Sequence, residues 1–359
     1  MKLGLQLGYW GAAPPQGVPE VVAAAEAAGF DAVVTAESWG SDAFTPLAWW
    51  GAATSRVRLG TSVVQISART PAATAMHALT LDHLSGGRFV LGLGVSGPQV
   101  VEGWYGQPFA RPLARTREYV SIVRQVLSRE APVRNAGPHY PLPYTGPGST
   151  GLGKPLRPIT HPLRADLPIW LGAEGPRNVA LAGEIADGWL AVFHSVRLAG
   201  LYEEWLGEGL SRPGARRSRA EFEVVANCQV TITDDRPAEL QRSKPVLAHY
   251  VGGMGAPGMN FHAELFRRCG FGEAVDEIGA KFLAGDRVGA VAAVPDEMVD
   301  EIAVIGDAAH VRREVDRRAA AGVSMLLVGC RDAAHVHELG ALLLGGSAPA
   351  VSGQSLSQQ

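Results

Sequence analysis

A single-domain (β/α)8 barrel, the TIM-barrel class, carrying insertions, is predicted by three observations. A helix–glycine–strand grammar repeats along the chain, eight apolar segments have strand character, and the stretches between them suit parallel crossovers. The grammar is clearest in "VPEVVAAAEAAGFDAVVTAE", residues 18 to 37. Its first half puts apolar side chains on one helical face, Gly29 stops the helix, and the rest reads as a strand covered on both faces. The order recurs in "PLAWWGAATSRVRLGTSVVQ", "PAATAMHALTLDHLSGGRFVLGLGV", "GPRNVALAGEIADGWLAVF" and "VRREVDRRAAAGVSMLLVGC". Alternating helices and strands imply right-handed βαβ units and a parallel sheet, and eight such strands close a barrel.

The first expected strand, residues 3 to 8, alternates apolar residues with Gly and Gln in "MKLGLQLGYWG", which suits a strand rather than a signal peptide. Residues 32 to 37, 59 to 65 and 89 to 95 follow at regular spacing, each dense in Val, Leu or Phe after a helix stop. Residues 168 to 173 and 188 to 193 repeat the pattern around one short helix, and 223 to 232 and 325 to 330 complete the set. Between them, residues 131 to 166 are rich in Pro and Gly, and residues 234 to 305 form a second excursion, partly helical at 295 to 305. Long loops of this kind are more often functional than idle, so both are expected to wall a substrate pocket. The barrel should span residues 1 to 345, with 346 to 359 a disordered tail.

The 359 residues carry 32 basic and 35 acidic side chains, a formal charge of -3, so there is no basic excess to track a nucleic-acid backbone. Cys228, Cys269 and Cys330 lie far apart without C-x-x-C spacing, which suggests neither a disulfide framework nor a thiolate zinc site. With no uninterrupted apolar run of about 18 residues, a soluble cytoplasmic protein is expected, without membrane or nucleic-acid partners. The expected partners are a small-molecule substrate and a second copy of the chain, in a homodimer. No H-E-x-x-H spacing points to a metal, and Lys2, Lys154, Lys244 and Lys281 avoid strand ends, which argues against Schiff-base chemistry.

Residues 92 to 97, "GLGVSG", fit the G-x-G-x-x-G fingerprint of dinucleotide-binding domains. That fingerprint should follow the first strand of its unit, open a helix, and meet an acidic residue about 20 positions on at the next strand end. Here it ends the fourth strand, Pro98 follows at once, and Glu118 lies in the helical pattern "RTREYVSIVRQVL". Its glycines are better read as permitting close backbone approach at a barrel mouth. A second glycine turn, "WLGAEGPRNVALAGE", runs from a strand through Gly172, Ala173, Glu174, Gly175 and Pro176 into a helix beginning near Arg177. Bare amides at such a helix start bind phosphate; a tight βα turn needing glycine for backbone reasons alone is the other reading.

At the strand ends the chain resembles the luciferase-like monooxygenase superfamily, and within it the oxidoreductases that use the 5-deazaflavin coenzyme F420. The resemblance covers roughly residues 1 to 345 and rests on four ordered blocks: "LGTSVV", "TLDHLSGGRFVLGLG", "SGPQVVEGWYG" with "RTREYV", and "LPIWLGAEGPRNVALAGEIADGW". It implies a barrel with the deazaflavin ring at its C-terminal mouth, and a non-prolyl cis peptide, Ser62-Val63, behind the ring. It assigns Gly94, Ser96, Gly97, Pro98 and Gln99 to the coenzyme lining and Ala173 to Pro176 to the phosphate. Several relatives carry an acid followed by His at the second strand end; this chain reads "TAESWG", keeping Glu37 but placing Ser38 where the His would be. The proton donor is therefore open.

Each candidate side chain carries two readings. Glu37 is a coenzyme or substrate contact, or a carboxylate capping backbone amides. Gln65 donates to the ring or is satisfied by neighbouring backbone. Glu102 is an acid or base, or an N-terminal helix carboxylate. His194, at the end of the sixth strand, is the best substitute for the missing His as proton carrier, or a satisfied strand-end histidine. Tyr9, Trp10, Trp39 and Trp104 stack on a planar ligand or simply pack; His77 and His83 share a helix and read as structural. Lys154, Arg157 and Arg197 flank the fifth and sixth strands and offer a basic exit for the oligoglutamate tail of F420. The expected function is hydride transfer between the deazaflavin C5 and a small organic substrate. An FMN-dependent monooxygenase is the nearest alternative; a glycosidase using Glu37 and Glu174, or a non-catalytic coenzyme-binding protein, are further ones.

Overall fold

The computed structural model describes residues 1–255 and 260–345; the expected disordered tail, 346 to 359, lies outside the described residues. The strands are β1 (Lys2–Gly8), β2 (Ala32–Thr35), β3 (Arg58–Thr61), β4 (Val64–Gln65), β5 (Phe89–Gly94), β6 (Ile169–Gly172), β7 (Gly188–Ala191), β8 (Glu223–Asn227), β9 (Gln229–Ile232), β10 (Ala303–Gly306) and β11 (Met325–Val328). The main sheet runs β3-β2-β1-β11-β8-β7-β6-β5-β4, all parallel, and pairing of β3 with β5 through Leu59–Phe89 and Gly60–Val90 closes the ring. β3 and β4 share the third position, so the closed barrel has the eight positions expected.

Three boundaries differ from expectation. Residues 59 to 65 are not one strand: the Ser62-Val63 bond is cis, as the resemblance implies, and the chain resumes as β4, paired only with β5. Residues 223 to 232 also divide. The Cys228 amide makes a last bond to Leu327 O (3.0 Å), after which β9 leaves the barrel and pairs with β10. Residues 303 to 306, expected within a partly helical stretch, form that partner strand after the short helix Asp296–Asp300.

Side-chain alternation sorts the barrel residues into two layers. Val34, Val90, Trp170, Leu190, Val225 and Leu327 fill the interior. Leu5, Leu59, Leu91, Ile169, Trp189 and Leu326 face outward against the helices, each contributing roughly 1.5–3 kcal/mol through burial. The N-terminal end is plugged by charge. Arg58 donates to Asp31 (2.7 Å) and to both oxygens of Glu223 (2.9 and 3.0 Å), and Trp170 Nε1 donates to Glu223 (3.0 Å). Burial alone would push the Glu223 carboxyl up, but Arg58 and Lys2 outweigh it and the net direction is down. This cluster closes the N-terminal end of the interior around Trp170.

The helix Pro71–Leu84 illustrates how local sequence builds the outer layer. Thr70 caps it, its Oγ1 accepting from Ala73 N (3.3 Å), Pro71 sits at the first turn, and Gly86 in the left-handed region (φ 65°) follows the end. Its one charged residue, Asp82, is buried and pairs with Arg164 (2.7 Å).

The two excursions differ in place. Residues 131 to 166 do not wall the mouth as expected: they wrap the outer faces of the helices Pro71–Leu84 and Pro112–Ser128. Glu118 holds them by accepting from Asn135 Nδ2 (3.1 Å) and the amides of His139 (3.1 Å) and Tyr140 (3.2 Å). Residues 234 to 305 contain the helices Arg236–Gly253, Phe261–Arg268 and Gly272–Leu283, which share a core of Leu247, Val251, Phe266, Val275 and Ile278. Phe193, just past the C-terminal end of β7, belongs to the same core and anchors this excursion over the mouth. No described helix is long and apolar enough to cross a membrane.

Candidate active site

The upper interior layer of the barrel is polar. Gln6 Nε2 donates to Asn227 Oδ1 (3.1 Å) and lies 3.4 Å from Ser62 Oγ, linking β1, β8 and the cis step. Neither Gln6 nor Asn227 stands out in the sequence. The available signal is that each is the polar member of an alternating apolar strand, at an inward position near its C-terminal end.

Two glycines of "GLGVSG" have a steric task. A Cβ on Gly92 would lie 1.8 Å from Thr61 O, and one on Gly94 would lie 2.5 Å from Val63 Cγ2. They let β5 approach the third position closely, as the barrel-mouth reading expects. Ser96 turns the chain in the left-handed region (φ 60°), and Gly97 precedes the short helix Pro98–Gly103.

Glu37 is deeply buried and fully engaged. It accepts from Gln65 N (2.8 Å), and Arg69 Nη1 lies 2.9 and 2.8 Å from its two oxygens. The Arg69 guanidinium also covers the Phe44 ring (5.1 Å). These contacts are those of a carboxylate capping an amide, reinforced by an ion pair. Arg69 was absent from the sequence reading; an arginine just past an apolar strand, in "ISARTP", is its only signal. Gln65 Nε2 donates to Glu37 O (3.3 Å), while Gln65 Oε1 is buried with no partner among the described residues. Ser38 is half-buried beside this group. Tyr105, reached from the loop after β5, has its hydroxyl pKa raised by burial and then by the Glu37 charge.

At the end of β6, Gly175 (φ 75°, ψ 163°) occupies a conformation open essentially to glycine alone, and the helix Pro176–Ile185 starts with no side-chain cap. The first intrahelical bond is Val179 N to Gly175 O (3.1 Å), so the amides of Arg177 and Asn178 precede it at the positive end of the helix. Gly172 lies against Val63, its Cβ position 3.1 Å from Cγ1, which joins this turn to the cis step. The Glu174 carboxylate faces His262 of the second excursion, Oε1 to Nδ1 2.9 Å. His262 is a residue that sequence reasoning missed.

The structure does not bring the other expected acid–base residues here. His194 sits between the sheet and the helix Ala199–Leu210, its ring 5.9 Å from Trp189 and 4.7 Å from Tyr202. Burial, with Arg318 nearby, lowers its pKa to about 4. Its Nδ1 is buried without a partner among the described residues, so the ring is packed rather than hydrogen-bonded there. Alternation past β7 sends Phe193 to the mouth and His194 away from it, against the proton-carrier expectation. Glu102 is exposed and accepts from Phe109 N (3.2 Å). The basic exit is not assembled either. Arg157 bonds Glu130 O (3.0 Å) on the outer wrap, Lys154 lies on that same wrap, and Arg197 pairs with Glu301 (2.6 Å).

The class defined by this architecture is a (β/α)8-barrel enzyme whose ligand cleft sits at the C-terminal ends of its strands. The chain belongs to the luciferase-like monooxygenase family, whose profile matches residues 4–325. A Mycobacterium tuberculosis protein provisionally named a coenzyme F420-dependent oxidoreductase is 65% identical over 343 residues, 96% of this chain and 99% of that protein. The 5,10-methylenetetrahydromethanopterin reductase of Archaeoglobus fulgidus is 27% identical over 306 residues, 85% of this chain and 86% of that protein. The coenzyme F420 dependent tetrahydromethanopterin reductase of Methanopyrus kandleri superposes with a TM-score of 0.80 at 23% identity, covering 96% of this chain and 98% of that one.

Proposed function

We propose that the protein is an F420-dependent oxidoreductase that transfers a hydride between the deazaflavin C5 and a small organic substrate. The observation that carries this reading is the 65% identity, across 96% of the chain, to a relative named for that coenzyme. Two features of the mouth fit the group. The unpartnered Gln65 Oε1 is a buried acceptor for an N–H of a planar ring, and the uncapped turn at Gly175 presents amides to a phosphate.

Ser62, Val63 and Gln65 would back the ring, Gly94, Ser96, Gly97, Pro98 and Gln99 would line it, and the turn from Gly172 to Arg177 would hold the phosphate through backbone amides alone, its Glu174 carboxylate being turned to His262. When bound, the coenzyme supplies a two-electron hydride donor or acceptor. The chain orients it. Gln65 is fixed by Glu37 O, and Glu37 is fixed by Arg69.

The reading includes a homodimer in the reducing cytoplasm. Trp49, Met76 and Leu84 are 79%, 63% and 74% exposed. They lie on the helices Phe44–Gly51 and Pro71–Leu84, which are joined by the stacked Phe44 and His77 rings (4.6 Å). Large exposed apolar side chains on two adjoining helices suit an interface. The three cysteines are unpaired, as a reducing compartment allows.

Titration of the purified protein with F420 and with FMN tests the coenzyme. Micromolar or tighter F420 binding is expected, with FMN at least about tenfold weaker; preferential FMN binding overturns the assignment.

A further inference from the structure

We propose that His262, positioned by Glu174, is the proton carrier of this mouth, and that the substrate is an uncharged alcohol or carbonyl compound with an apolar body. The proposal rests on the deazaflavin reading above.

The pair is assembled from distant parts of the chain. Glu174 lies in the turn that ends β6, between Gly172 and Gly175. His262 opens the helix Phe261–Arg268, whose start is pinned by Asn260. Asn260 Oδ1 accepts from His262 N (3.0 Å) and Ala263 N (3.1 Å), and its Nδ2 donates to Tyr250 O and Val251 O (both 2.8 Å). The imidazole is held edge-on between Phe193 (5.5 Å, 69°) and Tyr250 (4.9 Å, 84°). Its Nδ1 is 2.9 Å from Glu174 Oε1, and both side chains are 17% exposed.

Both Glu174 oxygens and His262 Nδ1 are buried without an aligned hydrogen bond among the described residues. Each is thus the other's nearest opposite partner, close but not yet aligned, and such contacts commonly tighten when a ligand fills the site. Once aligned, Nδ1–H donates a hydrogen bond to the Glu174 carboxylate and keeps its proton, which leaves Nε2 as the nitrogen that exchanges a proton with the ligand. This supplies an imidazole where Ser38 leaves none.

The surroundings set the substrate class. Phe193 and Tyr250 flank the imidazole with apolar rings, and Arg69 is committed to Glu37. Arg177 belongs to the phosphate turn. Among the described residues, no free cation is recorded against His262 to meet a carboxylate or phosphate on the substrate, whereas a hydroxyl or carbonyl oxygen suits Nε2. In the oxidative direction the carbinol C–H bond breaks and its electron pair leaves as hydride to the oxidised deazaflavin. The hydroxyl proton passes to His262 Nε2, and the C–O bond becomes a carbonyl; reduction is the reverse.

The test has three readouts. Oxidised F420 is first titrated into wild type and His262→Ala; no binding by wild type overturns the coenzyme reading, separately from this proposal. Propan-2-ol, cyclohexanol and benzyl alcohol are then offered with F420. Wild type should reduce the coenzyme with at least one of them, and His262→Ala should lose about 100- to 10,000-fold in kcat with coenzyme affinity within about threefold, partly restored by added imidazole. Turnover of none of the three, or equal turnover by the variant, overturns the proposal. His262→Gln replaces the variant if the alanine form does not fold. Independently of turnover, diethyl pyrocarbonate mapping should show His262 modified in the free protein and shielded by F420, with buried His194 unreactive; equal modification with and without coenzyme also overturns it.

Discussion

The single nitrogen Nη1 of Arg69 spans both carboxylate oxygens of Glu37, at 2.9 and 2.8 Å, while the same carboxylate caps the amide of Gln65. One ion pair thus fixes the strand end that carries Gln65. The Glu37 side chain is only 2% exposed. Arg69→Met should therefore cost about 3–5 kcal/mol, because it strands a buried charge. Arg69→Met with Glu37→Leu should recover much of that loss while still weakening coenzyme binding. Urea unfolding of the three proteins decides it; a loss under about 1 kcal/mol in the single variant would remove the structural role.

Much of the barrel was legible because its signals are local. Gly29 stops one helix, Thr70 and Pro71 start another, and Val-rich runs such as "AVVT" admit only a strand. The misreadings arise where local preference is silent. "LGTSVVQ" suits an unbroken strand at every position; the interruption comes from Gly92 and Gly94 letting β5 close on Thr61 and Val63. "EVVANCQVTI" likewise carries no stop, and what divides it is the distant strand Ala303–Gly306. The candidate site was legible at its glycine turns, where backbone geometry dictates residue type. His262 was not, since only the packing of the second excursion on Phe193 brings it to Glu174.

His194 makes a pH-dependent contribution. Its pKa is lowered from the ordinary 6.5 to about 4, chiefly by burial. The unfolded chain therefore binds more protons than the folded one between those values. Stability is fully present above about 6.5 and falls as pH drops toward about 4, by up to roughly 3 kcal/mol in total. His194→Gln should flatten the stability–pH curve in that window and leave F420 affinity at pH 7 within about threefold. Thermal unfolding between pH 4 and 7 checks this. An unchanged slope would show that other groups set the acid limit, and a large loss of turnover would return His194 to the mechanism.

The exposed apolar residues on the helices Phe44–Gly51 and Pro71–Leu84 predict the assembly. Met76→Glu puts a charge into the face that a second copy would cover, so sedimentation should show a dimer for wild type and a monomer for the variant. Met76 is 63% exposed, so the monomer's own stability should change by no more than about 0.5 kcal/mol. A wild-type monomer at micromolar concentration would contradict the homodimer.

On the proposed function, the turn at Gly175 would serve phosphate recognition separately from ring recognition. Its φ of 75° with ψ of 163° is inaccessible to a residue with a Cβ at modest cost, about 1–3 kcal/mol for such regions. Gly175→Ala should therefore shift the turn and move the Arg177 and Asn178 amides. Charge-assisted bonds to those amides are worth about 1.5–3 kcal/mol, so F420 affinity should fall about 10- to 100-fold. The phosphate-free deazaflavin chromophore isolates the effect, because on the proposed function it would keep its contacts to Gln65 and Val63 but has nothing to offer the turn. Its affinity for wild type and for Gly175→Ala should agree within about threefold. Fluorescence titration of both ligands against both proteins gives the comparison. Equal losses for the two ligands would mean that the substitution disturbs the barrel mouth as a whole and would remove the phosphate from this turn.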